Sequence, residues 1–215
     1  MSTVTINIIY QTTQWLIIDK PCGISVHNSE EEHDVLSLLS ADLKQKLYAV
    51  HRLDKPTSGL MLIAKNPEMT AALQQALQTA NKTYEAIVRG VPASETGLWK
   101  QRISNKSEGR RNPAGKNKVH AQTQYHIISH NRYLSKIQCT ISTGRQHQIR
   151  KHCVLNRHEI LGDTRYGDPK YQKNMRQRFG QFEMCLQAKS LQFSLHQNAF
   201  SFRASERKDW LTFGV

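Results

Sequence analysis

Hydrophobic residues recur along this chain in short runs that are separated by turn-forming residues. Thr3–Tyr10 alternates loosely, whereas Trp15–Ile18 and Leu60–Ala64 are continuous apolar runs. Loose alternation is typical of an edge strand, and a short apolar run bounded by turn residues is typical of a buried strand. The first part of the chain is therefore predicted to be rich in strands.

Helices are predicted where a capping residue precedes an amphipathic stretch. Asp34 can cap a short helix at Val35–Leu39. Asn66 and the proline after it form an N-cap with a first-turn proline, which predicts a helix over Pro67–Thr79 with one apolar face. A further helix is predicted at Gln146–Leu155.

The remaining pattern predicts more strands than helices, without regular alternation of the two. This organisation predicts an α+β fold with a mixed, largely antiparallel central sheet flanked by helices and loops. No internal repeat or convincing linker interrupts the chain, so residues 1–215 are predicted to form a single domain. The further strands are predicted at Lys82–Arg89, Val119–Ser129, Tyr133–Ile141, Met184–Leu195 and Ala199–Phe202, and a polar turn is predicted at Gly162–Tyr171.

The charge of the chain indicates a polyanionic partner. The formal net charge is +13 over 215 residues, and such an excess of Lys and Arg favours nucleic acid. An anionic membrane surface is the rival, but we find no amphipathic basic helix and no lipidation signal. We also find no secretory signal and no apolar stretch approaching the ~20 residues of a membrane span. We therefore expect a cytoplasmic protein.

The cysteines do not indicate a disulfide framework or a metal site. The four of them, Cys22, Cys139, Cys153 and Cys185, are far apart and form no CxxC pair. In a chain of this length without a signal, free thiols are expected. Zinc is disfavoured because the ligand spacing is wrong for it.

The segment Val91–Lys118 combines turn-forming residues with many cations and few acids. It is predicted to be an exposed hairpin or loop. Two interpretations remain open: a solvated basic loop, and an arm that contacts RNA phosphates. Its cations are Lys100, Arg102, Lys106, Arg110, Arg111, Lys116 and Lys118.

The most unusual local feature is a carboxylate in a turn between two apolar runs. Asp54 lies within Tyr48–Lys65 and is surrounded by basic and small residues, among them His51, Arg52 and Lys55. Aspartate is a poor strand residue, and local rules often fail where function overrides them. The pattern indicates a carboxylate held rigidly on a loop, with cations beside it.

Several motifs, taken in order, resemble the signature set of the RluA family of RNA pseudouridine synthases. The resemblance covers the chain from about residue 10 to about residue 195, and the second and fourth motifs are long and chemically unusual. The motifs are DKPCGISVH at 19–27, HRLDKPTSG at 51–59, KTYEAIVRG at 82–90, TGRQHQIRKH at 143–152 and GDTRYG at 162–167.

This resemblance implies the pseudouridine synthase catalytic fold and the isomerisation of a uridine in RNA to its C-glycoside. It implies that Asp54 is the catalytic aspartate, that Tyr84 stacks on the target base, and that Arg150 pairs with the aspartate. Ile149 would line the apolar wall, and Arg52 would help to displace the base. Further candidates for RNA contact are His51, Lys55, Arg110, Arg111, Arg145 and Gln148.

The chemistry of the reaction fits these residue types. The N1–C1′ bond must break, the base must rotate, and a bond must form through C5. A carboxylate can attack as a nucleophile or assist departure at C1′, and an adjacent guanidinium favours its ionised form. A tyrosine supplies a stacking face and a hydroxyl, and the uridine must be flipped out to be reached.

The resemblance implies a structured rRNA or tRNA as partner, no metal and no organic cofactor. We also expect a monomer without a protein partner. The chain offers no room for the S4-type RNA-binding module of larger relatives. A Leu-His-Ala run common in relatives corresponds here to Leu186, Gln187 and Ala188.

Each candidate also has a structural interpretation. Asp54 could cap a turn, Tyr84 could be core, and Arg150 could be a surface cation. His147 and His152 are five positions apart, which does not place them on one helix face, so hydrogen-bonding roles are favoured over a metal pair. The residues of GDTRYG, among them Asp163, Tyr166 and Gly167, are predicted to form a turn that braces the site.

Two other functions compete with the isomerase. The first is an RNA-binding protein of the same fold whose catalysis is secondary or lost. The second is a glycosidase or an N-ribosyl hydrolase, which would normally need a second carboxylate. Asp19 and Asp163 are the available carboxylates, and both are predicted to lie in turn-like segments without a clear partner.

Overall fold

A computed structural model describes residues 5–27 and 33–215 of the protein. The chain divides into two compact units, one formed by Met1–Asn81 and Gln187–Ser205 and the other by Lys82–Leu186 and Glu206–Val215. We call them the first and the second unit. The expectation of a single domain over 1–215 stays a prediction.

Twelve strands and four helices are found in the described part of the chain, followed by a short 3₁₀ helix at Lys208–Phe213. In chain order they are β1 (Asn7–Gln11), β2 (Trp15–Lys20), α1 (Val35–Leu43), β3 (Tyr48–Ala49), β4 (Ser58–Ala64), α2 (Pro67–Ala76), β5 (Asn81–Arg89), β6 (Thr96–Trp99), β7 (Ile103–Ser104), β8 (Lys118–Val119), β9 (Thr123–His130), β10 (Leu134–Ile141), α3 (Gln148–Leu155), α4 (Pro169–Phe179), β11 (Leu186–Leu195) and β12 (Asn198–Arg203).

The first unit is built on the continuous apolar run of β4, all seven of whose residues are buried. β4 pairs antiparallel with β2 and β3, β2 pairs with β1, and β11 pairs with β12. A core of Trp15, Leu62, Leu73 and Phe193, among others, joins this sheet to α2. The sequence prediction of a buried strand at Leu60–Ala64 is therefore confirmed.

One pairing in the first unit is parallel, and it requires a glycine. Ser58 and Gly59 of β4 lie beside Gln187 and Ala188 of β11. Gly59 has φ +107, and a Cβ at this position would lie 2.3 Å from the carbonyl oxygen of Ala188. The glycine that follows the Asp54 turn therefore allows two backbones to approach closely, which no other residue would permit.

The second unit contains an antiparallel arrangement in which β10 lies between β5 and β9, and β9 also pairs with β6. One core contains Ala86, Val88, Ile137 and Cys153, which brings α3 against these strands. A second core surrounds Ile87 and Met175 and includes Trp210 and Phe213 of the 3₁₀ helix. The predicted α+β class with a mixed, mostly antiparallel sheet is thus confirmed.

Local capping signals predicted the helix starts well. Asp34 accepts a hydrogen bond from Ser37 N in a capping box, and Asn66 accepts one from Met69 N at the start of α2. The helix predicted at Gln146 begins at Gln148 instead, because His147 adopts a left-handed conformation with φ 56. The early part of the predicted strand Thr3–Tyr10 lies partly outside the described residues.

Two sequence predictions need correction. The polar turn predicted to extend to Tyr171 ends earlier, because Asp168 caps α4 and Pro169 occupies its first turn. Asp19, predicted to lie in a turn, belongs to β2 and pairs in register with Leu60. The basic segment is partly a hairpin as predicted, since Ile103 pairs with Val119.

The close approach at Gly59 generates a stability prediction. We expect Gly59→Ala to lower the free energy of unfolding by about 2–5 kcal/mol, because the left-handed backbone costs roughly 1–2 kcal/mol and overpacking adds ~1–3 kcal/mol. Gly23→Ala is the matched control, since Gly23 has φ +81 and a Cβ at this position would meet nothing within 4 Å. Urea unfolding of both variants measures the difference, and equal losses would contradict the steric argument.

Candidate active site

Asp54 lies half-buried in the turn that precedes β4. The backbone carbonyl of Asp54 accepts a hydrogen bond from Thr57 N at 2.9 Å, which closes the turn. His51 Nε2 accepts a hydrogen bond from Leu62 N at 3.0 Å. That nitrogen is therefore the unprotonated one of a neutral ring. His51, predicted as an RNA contact, thus ties the entry of the turn to β4.

A buried lysine holds the outer side of this turn. The Nζ of Lys20, whose residue is fully buried, lies 3.1 Å from the carbonyl oxygen of Lys55. It also donates to the carbonyls of Pro21 and Ile24 at 2.9 and 2.8 Å. One ammonium thus joins the DKPCG segment to the turn that carries Asp54, and it satisfies carbonyls that would otherwise be costly to bury.

Two further bonds join the same segments. Gly23 N donates to the carbonyl of Lys55 at 3.0 Å, and the Cys22 thiol donates to the carbonyl of Pro56 at 2.9 Å. The sequence interpretation of a rigidly held carboxylate is therefore supported by three separate donors. All four cysteines are thiols rather than disulfides, as predicted.

In the second unit, Arg150 forms a buried bidentate ion pair with Asp163. Its Nε and Nη2 donate to the two carboxylate oxygens at 2.8 and 2.9 Å, and the side chains are 4% and 1% exposed. The interpretation of Arg150 as a surface cation is wrong. Asp163 also has a clear partner, which sequence reasoning did not find.

The GDTRYG segment is a turn around this ion pair, as predicted. Gly167 N donates to the Asp163 carbonyl at 3.0 Å, and the Arg150 guanidinium lies 5.2 Å from the centre of the Tyr166 ring. The Tyr166 hydroxyl lies 2.8 Å from His147 Nδ1. Burial raises the pKa of Tyr166 to about 12, so its hydroxyl stays protonated at neutral pH.

The histidines in and next to α3 have hydrogen-bonding roles, as predicted. His152 is buried, with its nitrogens 2.8 Å from Thr123 Oγ1 and 3.0 Å from the Gln101 carbonyl. Burial lowers the pKa of His152 below its ordinary value. The described residues contain no group of His, Cys, Asp and Glu that could hold a metal ion.

Tyr84 occupies the middle of β5, opposite Cys139 of β10. It is half-buried and packs against the core that includes Ala86 and Val88. Ile149 is buried in the same core. The ring of Tyr84 is thus supported from below by an apolar layer while part of it stays accessible, which suits a stacking surface.

Gln148 and Arg145 shape the loop before α3. The Gln148 carboxamide accepts from Thr143 Oγ1 and Arg145 N at 2.7 and 3.1 Å, and it donates to the Gln122 carbonyl at 2.7 Å. The guanidinium of Arg145 donates to the His120 carbonyl at 3.3 Å. Both residues were predicted to contact RNA, and in this structure they position the loop backbone.

The basic segment is anchored by cations of its own unit. Lys151, fully buried, donates to the carbonyls of Ser104 and Lys106 at 2.9 and 2.7 Å. Arg110 donates to the carbonyls of Gly167 and Thr164, so it ties the segment to the GDTRYG turn. Sequence reasoning missed Lys151, although its place directly after Arg150 in the longest motif was a signal.

The remaining predicted RNA contacts are exposed. Arg52, Lys55 and Arg111 project from the described surface, as do Lys116 and Lys118. No helix among residues 5–27 and 33–215 is long and apolar enough to cross a membrane.

Comparison with known proteins identifies the class of protein that this fold and these residues define. A family model described as RNA pseudouridylate synthase matches residues 14–154. The chain therefore belongs to the RNA pseudouridylate synthase family, whose members are isomerases, and the resemblance to the RluA type is confirmed.

Individual relatives agree with this assignment. The chain is 30% identical to tRNA pseudouridine synthase C of Vibrio parahaemolyticus, over 90% of this chain and 86% of the relative. It is 36% identical to ribosomal large subunit pseudouridine synthase D of Vibrio cholerae, over 75% of this chain and 53% of that protein. The fold is similar to that of human RNA Pseudouridylate Synthase Domain Containing 1, with a TM-score of 0.80, 20% identity and coverage of 94% of this chain and 84% of that one.

The buried ion pair generates a prediction with an internal control. Asp163→Ala leaves the guanidinium of Arg150 buried without this partner, so we expect the free energy of unfolding to fall by about 3–5 kcal/mol. Asp209→Ala breaks a similar bidentate pair with Arg207, but the Asp209 side chain is 50% exposed, so we expect a loss of only ~0–1 kcal/mol. Denaturant unfolding checks both values. Similar losses would contradict the structural role of Asp163.

Proposed function

We propose that this protein isomerises specific uridines to pseudouridine in a structured rRNA or tRNA, with Asp54 as the catalytic carboxylate and with the target base flipped out. The observation that carries the proposal is the anchoring of the Asp54 turn by Lys20, Cys22 and Gly23 in a chain of this family. A carboxylate that must meet C1′ at one angle needs such a rigid support.

The reaction is balanced without a co-reactant. The N1–C1′ bond breaks, a C5–C1′ bond forms, and the proton lost from C5 is matched by the proton gained at N1. Asp54 either attacks as a nucleophile or stabilises the departure of the base, and both routes remain open. Tyr84 supplies a stacking face for the base and a hydroxyl near the site of proton removal.

Arg150 is proposed to support the ionised form of Asp54 while it binds Asp163. A guanidinium carries five N–H donors in a fixed plane, and two of them serve Asp163. The ion pair would therefore orient Arg150. An Arg side chain held in this way does not have to reorient during the reaction, so no free energy is spent on its reorganisation.

The RNA partner is proposed to be a tRNA or an rRNA stem-loop, bound in the cytoplasm by a monomer. Relatives are named for tRNA and for the large ribosomal subunit, so both classes of RNA are retained in the proposal. Unpaired bases that can be splayed out are the usual targets of specific RNA recognition. Arg52 and Lys55, exposed beside Asp54, are proposed to contact this RNA.

The nucleophile assignment is tested by Asp54→Asn, which keeps the shape of the side chain and removes its charge. We expect isomerisation to fall by at least about 10³-fold, the scale on which loss of an essential catalytic group acts, while RNA binding largely survives. The measurement is carbodiimide-dependent primer-extension stops in RNA from cells that lack the gene, complemented with each variant. Isomerisation leaves the mass unchanged, so ordinary mass measurement would miss it.

Asp42→Asn is the matched control, because Asp42 is an exposed carboxylate on α1 of the same unit. Full activity of Asp54→Asn would refute the assignment. If the wild-type protein binds RNA but does not restore the primer-extension stops, the result would favour an RNA-binding protein of this fold whose catalysis is lost or secondary.

The basic segment is proposed to contact RNA phosphates through Lys116 and Lys118. We expect Lys116→Gln and Lys118→Gln each to weaken binding and to flatten the salt dependence of log K by about 0.7–0.9 per lysine. Asn117→Ser, between them, keeps the charge and controls for loop conformation. If the slope of log K against log salt concentration is unchanged in the double variant, this segment does not contact the RNA.

A further inference from the structure

A second exposed cationic surface lies on α4, the helix that sequence reasoning missed. By helical spacing, positions 170, 173, 174, 177 and 178 share one face, and all five residues are exposed. This face contains three cations, two amides and no acid, and it consists of Lys170, Lys173, Asn174, Gln177 and Arg178. The face is about 12 Å long at 1.5 Å per residue.

This helix face ends at an aromatic ring. Tyr133 is 52% exposed, and two guanidinium groups flank it: Arg178 lies 5.3 Å and Arg132 lies 5.6 Å from the ring centre. We call Arg132, Tyr133 and the exposed face of α4 the Tyr133 patch. The two guanidinium groups make cation–π contacts with this ring, so an accessible aromatic surface and phosphate-binding cations lie together at one place.

The turn that presents Tyr133 is held firmly. Asn131 Oδ1 accepts hydrogen bonds from Tyr133 N and Leu134 N at 2.8 and 2.9 Å. Asn131 Nδ2 donates to the carbonyl of Phe213 at 3.0 Å. Little conformational entropy is therefore lost when a ligand orders against this ring, which favours binding.

The cations of the patch have no acidic partners within the described residues. Neither Arg132 nor Arg178 forms an ion pair there, and the same holds for Lys170 and Lys173. Asp168, the acid directly before α4, accepts a hydrogen bond from Tyr171 N as the cap of this helix, and Glu183, which follows α4, pairs with Arg207. The positive charge of the patch is thus available to an external anion.

From these observations we infer that the Tyr133 patch binds single-stranded RNA. One unpaired base stacks on Tyr133, and the phosphates on either side contact Arg132, Arg178 and the lysines of α4. Stacking of bases on aromatic rings beside backbone-tracking cations is the general mode of single-strand recognition. A solvated charged helix accounts for the cations of α4 alone, whereas the exposed ring beside them adds the stacking surface that an unpaired base needs. This inference rests on the proposed function only in taking RNA as the partner.

Binding of a single-stranded oligouridylate of about 8 nucleotides, within the usual size of such sites, tests the patch by fluorescence anisotropy. We expect Tyr133→Ala to weaken binding roughly 10-fold to 100-fold and Tyr133→Phe to leave it nearly unchanged, because the ring face carries the contact. Arg132→Gln with Arg178→Gln should flatten the salt slope by about 1.4, since each single-strand phosphate contact contributes ~0.7.

Lys46→Glu is the control for charge. Lys46 lies over Tyr48 at 5.3 Å, a similar cation–aromatic contact in the first unit, and we expect this variant to bind as the wild type does. Thermal unfolding should be unchanged in every variant, because the altered side chains are exposed. Photo-crosslinking of 5-bromouridine RNA to the wild type should label the peptide that contains Tyr133.

The outcomes separate this inference from the proposed function. If Tyr133→Ala and the double arginine variant bind like the wild type, the patch is not an RNA surface, whether or not the protein isomerises uridine. If the wild type modifies no RNA but the Tyr133 series behaves as expected, the catalytic proposal fails and the patch stands. If the Tyr133 and arginine variants lose binding to anionic lipid vesicles as much as binding to RNA, the patch is not specific for RNA and the inference is overturned.

Discussion

Buried cations that bind backbone carbonyls hold two loops of this protein in shape. Lys20 joins the carbonyl of Lys55 to its own turn, and Lys151 does the same for Ser104 and Lys106. A loop that turns its carbonyls inward has no strand partner for them, and leaving them without hydrogen bonds is costly. An ammonium with three donors solves this problem, and the carbonyl oxygens in turn stabilise its charge.

This arrangement changes the meaning of the net charge. The value of +13 suggested a surface rich in cations, but Lys20, Arg150, Lys151 and Lys189 are buried. Arg110 also uses its guanidinium to bind backbone carbonyls. The cations that remain for RNA are a smaller and more localised set, and burial rather than composition identifies them.

Sequence reasoning succeeded where the determining interaction was local. The starts of α1 and α2 were predicted because Asp34 and Asn66 bond to backbone groups three positions away. The same signal, Asp168 before Pro169, marked α4 and was missed because its residues are mostly polar. Its apolar contact is limited to a few positions such as Met175, so hydrophobic periodicity was weak.

The sequence by itself determined the family and the residues proposed for the chemistry. A reaction requires particular side chains, and these occur in short motifs that can be recognised from the sequence alone. Only the tertiary structure decided which groups support them. Arg150 meets Asp163 across 13 positions, Lys20 meets Lys55 across 35, and Gly59 meets Ala188 from a distant strand. Which residues become partners depends on which buried polar groups need hydrogen bonds and on which backbones pack together. Neither can be read from the order of residues along the chain.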